Sequence, residues 1–89
     1  MTQEVEEIEV GEYHTGFAAN RSVFIANNGV ISGSSIVDVK VGSVGGPTER
    51  KSLSVGDSMR YDGGAKGVFE ILLLSIRDNS AKFLVSQVT

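Results

Sequence analysis

The one histidine, His14, is the chain's sole imidazole for proton transfer or metal ligation, and it sits in the polar stretch Glu12-Tyr13-His14-Thr15-Gly16. A serine triad would have to use it, yet no serine occupies the G-x-S-x-G setting that exposes a nucleophile. Two carboxylates, Asp57 and Asp62, flank the segment around Met59 and Tyr61 and could face each other as acid and base. Both stand beside glycines, where aspartate commonly forms turns by accepting a nearby backbone N–H. Asp62-Gly63-Gly64 lacks the spaced acidic ladder of a calcium loop, and one His without any Cys makes a poor transition-metal site. The expectation is a protein without catalytic residues, metal or cofactor.

Two glycine-rich stretches with basic neighbours carry the remaining chemistry. Residues 42–51 end in Arg50 and Lys51, and residues 60–67 hold Arg60, Gly63, Gly64 and Lys66. Successive glycine N–H groups can cradle an anion while arginine and lysine supply charge. Neither stretch fits a Walker or dinucleotide fingerprint, which needs a strand-to-helix setting. Arg50, Lys51, Arg60, Gly63, Gly64 and Lys66 are therefore the candidate residues for a small anionic metabolite or nucleotide, against the simpler reading that they form soluble turns.

Composition bounds these readings. Eighty-nine residues support one hydrophobic core, and 40% hydrophobic with 21% charged residues is an ordinary globular balance. Net charge is −3, but Glu4, Glu6, Glu7, Glu9 and Glu12 crowd the first twelve residues, so the remainder is slightly basic. That balance lacks the basic stripe and abundant aromatic residues of a nucleic-acid binder. With no Cys, no apolar leader and no long apolar run, the expectation is a soluble cytoplasmic protein without membrane contact.

Twelve Val and six Ile against five Leu and five Ala favour strands, and glycine and serine interrupt the chain at strand-length intervals. Residues 1–6 are read as an acidic, frayed end and 7–89 as a single all-β domain. The first strand is placed at 7–14 and the second at 21–27, joined to a third at Val30 by an Asn28-Gly29 type I′ turn. In 36–41, Val37, Val39 and Val41 alternate with Ile36, Asp38 and Lys40. Residues 42–48, with the only proline, form a loop, followed by strands ending at Val55 and Tyr61. In 68–76, Phe69, Ile71 and Leu73 oppose Val68, Leu72, Leu74 and Ile76. After a turn at 77–80, Ala81, Phe83 and Val85 face one way in the final strand.

Seven or eight short strands joined by tight turns suit an antiparallel sandwich or a small closed barrel, SH3-like barrels included. The two-faced apolar strand at 68–76 needs burial on both sides, which a second copy can provide. Val23, Ile25, Leu72, Leu74 and Leu84 are the candidate interface residues. The leading functional expectation is a non-enzymatic, homo-oligomeric protein-binding or assembly module, with the anionic-ligand binder as the alternative.

Overall fold

Residues 5–31, 33 and 35–88 are described by a computed structural model of the chain. Among these residues it is all-β apart from a single 3₁₀ turn at Gly64–Lys66. The strands are β1 (Val5–Val10), β2 (Thr15–Ala18), β3 (Val23–Val30), β4 (Ile36–Gly42), β5 (Thr48–Ser54), β6 (Ser58–Asp62), β7 (Val68–Arg77) and β8 (Ser80–Gln87). They form two antiparallel sheets, sheet I in the order β1-β8-β7-β6 and sheet II in the order β2-β3-β4-β5. The sheets do not close into a barrel: β1 and β2 are edges of different sheets, as are β5 and β6. No helix is long and apolar enough to cross a membrane among the described residues.

Alternation explains the core. Val37, Val39 and Val41 of β4, Phe69, Ile71 and Leu73 of β7, and Ala81, Phe83 and Val85 of β8 all point inward and join one apolar cluster with Tyr61 and Leu53. Residues from both sheets meet in this cluster, so each sheet hides its apolar face against the other.

Several strand assignments change for identifiable reasons. The segment 7–14 is not one strand, because Tyr13 takes a left-handed φ of 64° and His14 N–H donates to Gly11 O at 3.0 Å. That turn carries the chain from sheet I to sheet II, and β2 begins where a connection was expected. Asn28-Gly29 is not a hairpin turn but a bulge inside β3, where Asn27 pairs with Val39 and Val30 with Val37. The extra residue returns Val30 to the core side, and the chain reverses later, with Ile31 N–H donating to Ile36 O at 2.9 Å. The two-residue left-handed turn occurs instead at Asp78-Asn79, with φ of 52° and 65°, between the paired Arg77 and Ser80.

A second bulge, between Leu73 and Ser75, shifts the register of β7 against β8. Ile76 consequently lies opposite Ala81 and packs against the core, instead of sharing an outer face with Leu72 and Leu74. Val23 and Ile25 also require correction as interface candidates: both are fully buried inside the chain's own core. Residues 1–4, which include most of the expected frayed end, lie outside the described residues, and Val5 and Glu6 are already in β1.

Candidate binding face

The two glycine-rich loops do meet. Tyr61, buried at the end of β6, donates its hydroxyl to Pro47 O at 2.6 Å, and the Ser43 hydroxyl donates to the Tyr61 oxygen at 3.0 Å. Several of their amides, however, already have internal partners. Gly63 N–H donates to Gly67 O at 2.8 Å, and Gly64 N–H donates to the Asp62 carboxylate at 2.9 Å, so a side chain of the protein already holds the place of an anion.

The bases are also separated by strand alternation. Arg60 points outward from sheet I beside Glu70, at 3.9 Å, whereas Arg50 points outward from sheet II. Lys51, opposite the buried Val39, takes the inward side of edge strand β5 and remains exposed, and Lys66 ends the 3₁₀ turn. Arg50 and Arg60 therefore stand on the outer faces of different sheets, while Gly63, Gly64 and Lys66 share one turn. His14 and the two aspartates serve local structure: His14 Nδ1–H donates to Glu12 O at 2.9 Å, and Asp57 accepts Ser54 N–H at 3.1 Å. Among the described residues no cluster of three metal-ligating side chains occurs.

The outer face of sheet II is a different kind of surface. Register places Phe17 opposite Phe24, Phe24 opposite Gly42 and Gly42 opposite Thr48, one row crossing all four strands. A Cβ at Gly42 would come within 2.7 Å of both Phe24 Cζ and Thr48 Cγ2, so glycine is what lets the Phe24 ring lie across β4. Phe17 is 45% exposed, and the Arg21 guanidinium sits 5.5 Å from its ring centroid. Arg21 comes from the β2–β3 turn, where Ala19, Asn20 and Arg21 all adopt left-handed φ angles.

The neighbouring row is Thr15, Ala26, Lys40 and Arg50. Arg50 reaches diagonally to Asp38, with its Nε 3.1 Å from Oδ1 and a terminal nitrogen 2.5 Å from Oδ2. This charge-assisted contact holds the Asp38 carboxyl below its ordinary value of 3.8, burial opposing it only in part. Asp38 therefore contributes stability above the ordinary carboxylate range, and that contribution is lost as pH falls through its lowered value. Arg50→Gln is expected to return the Asp38 titration to the ordinary range in a carboxyl NMR titration. An unchanged low value in the variant would mean that another group holds the carboxylate.

Sheet I presents a contrasting outer face. Leu72 and Leu84 stand directly opposite each other, half-buried, with Leu74 at the bulge. Around them lie Glu7, Glu9, Asp62 and Glu70 against Lys82, Arg60 and Arg77. Lys82 approaches Glu7 at 3.4 Å. Three of the five expected interface residues, Leu72, Leu74 and Leu84, thus share one face.

The aromatic row was not legible as a site because its members are scattered from 17 to 48 and gather only through strand register. The signal available in the sequence was Thr15-Gly-Phe-Ala, whose alternation marks a short strand. No protein-family model, no curated protein and no solved structure matches the chain.

Proposed function

We propose that this chain is a small non-enzymatic β-sandwich that works as an assembly module, its copies associating through the outer face of sheet II. The carrying observation is the Phe17–Phe24 pair. Two aromatic rings stand on the outside of a sheet whose core is already complete, and Phe17 is 45% exposed. Exposed aromatic residues of this kind act as anchors in protein interfaces because each removes a large apolar area from water with few torsions to freeze. Arg21 and Lys40 border the rings and add charge that selects an acidic partner surface.

The edges of the sheets favour association by faces over association by strand addition. Strand β5 carries Glu49 and Lys51 on its inward side, and β1 carries Glu6, Glu7 and Glu9, the charged features that blunt an edge.

The test is sedimentation velocity over a wide concentration range. The wild-type chain is expected to show a mass above the 9.4 kDa of one chain that rises with concentration, and Phe17→Glu to remain monomeric with an unchanged melting temperature. A wild-type chain that stays at one chain mass throughout would overturn the reading.

A further inference from the structure

We infer that the surface received by the outer face of sheet II is the outer face of sheet I on a second copy, so that copies stack front to back in open-ended rows. The inference rests on the self-association proposed above and adds the identity and geometry of the partner surface.

Three observations support it. The first is charge: the sheet II face carries Arg21, Lys40 and Arg50 against Asp38, a basic excess, whereas the sheet I face carries Glu7, Glu9, Asp62 and Glu70 against Lys82, Arg60 and Arg77, a slight acidic excess. Two copies of the same face would oppose like charges, and unlike faces oppose complementary ones. The second is the centre of each face, which is apolar and flanked by charge: Phe17 and Phe24 on one, Leu72 and Leu84 on the other. Leu72 and Leu84 remain half-buried on the outside of their own sheet and have surface left to cover.

The third is shape. The molecule spans 39 × 26 × 17 Å. Two stacked sheets lie about 10 Å apart, so the short dimension runs through the sheets and each outer face takes up the two long ones. Such a face is large enough for the roughly 800 Å² per partner of a stable protein interface. Because the two faces lie on opposite sides of the molecule, each added copy presents a fresh face, and a heterologous contact of this kind propagates without closing unless a rotation brings the row back on itself.

The experiment uses two surface variants of the full chain. Phe17→Glu spoils the sheet II face and leaves sheet I intact; Leu84→Lys spoils the sheet I face and leaves sheet II intact. Each alone is expected to be monomeric, and an equimolar mixture is expected to give a two-chain species, since each variant supplies the face the other lacks. Wild-type mass should grow past two chains with concentration and fall as salt is raised, because the contact is partly electrostatic. Glu9→Lys, which reverses an exposed charge on the sheet I face, guards against misfolding of Leu84→Lys: it should self-associate more weakly than wild type and still pair with Phe17→Glu through its intact sheet II face. A closed wild-type dimer that persists in both Leu84→Lys and Glu9→Lys would overturn front-to-back stacking while leaving self-association through sheet II standing. A wild-type chain that never exceeds one chain mass would overturn both.

Discussion

Asn27→Leu is expected to destabilise the fold by about 3 kcal/mol, the cost of leaving buried polar groups without partners. Asn27 is fully buried, and its side chain makes three hydrogen bonds to backbone groups. Its Nδ2 donates to Val10 O and Asn79 O, both at 3.1 Å, and its Oδ1 accepts Gly29 N–H at 3.0 Å. One side chain thereby ties the end of β1, the β7–β8 turn and the β3 bulge together. Leucine fills similar space but satisfies none of these groups. For a domain of this size the loss corresponds to a fall in melting temperature of roughly 15 °C. Asn27→Asp keeps an acceptor for Gly29 yet turns its second carboxylate oxygen toward Val10 O and Asn79 O, so it should be no better tolerated at neutral pH. Thermal unfolding followed by circular dichroism measures both. A change of only a few degrees in Asn27→Leu would mean that the three backbone groups find other partners.

The second large effect separates neighbours on β8. Phe83 is fully buried at the centre of sheet I, opposite Leu73 of β7 and Ile8 of β1. Phe83→Ala removes the ring and leaves a cavity, at a cost of about 3–5 kcal/mol. A domain this small has a total stability of only about 5–15 kcal/mol, so much of it would be lost. Leu84, the next residue, points outward, and Leu84→Ala should cost under about 1 kcal/mol while weakening association. Chemical denaturation of the two variants compares them directly. Equal losses would contradict the assignment of the faces of sheet I.

These two predictions also mark how far the sequence could be read. The inward sets on β4, β7 and β8 were legible because strict alternation has a single solution once one face is buried. Val37, Val39 and Val41 needed nothing beyond their spacing. Bulges defeat the same logic, since one extra residue reverses every assignment after it. Ile76 changed sides for this reason.

The Asn28-Gly29 pair shows a different limit. Its local signal is genuine, and Gly29 adopts a φ of 122°. A hairpin and a bulge both use such a residue, and the choice is made by distant partners: Asn27 held by Val10 and Asn79, and Glu12 accepting Val30 N–H at 3.2 Å. Residues 52 positions apart in the chain decide the turn. The candidate anion site meets a similar limit, because glycines and bases are visible in a sequence but the internal partners of glycine amides are not. The aromatic face was the least legible part of the molecule. Phe17, Phe24 and Gly42 have no common motif and acquire a relation only through pairing register.

The central claim is that the outer face of sheet II is where copies of the chain meet, and a dilution series followed residue by residue in ¹H–¹⁵N NMR spectra tests it most directly. On raising the concentration, the signals of Phe17, Arg21, Phe24, Lys40 and Arg50 are expected to shift or broaden together with those of Leu72 and Leu84, while the loops at 43–47 and 63–67 stay unchanged. Spectra independent of concentration, or changes confined to the glycine loops, would contradict the account.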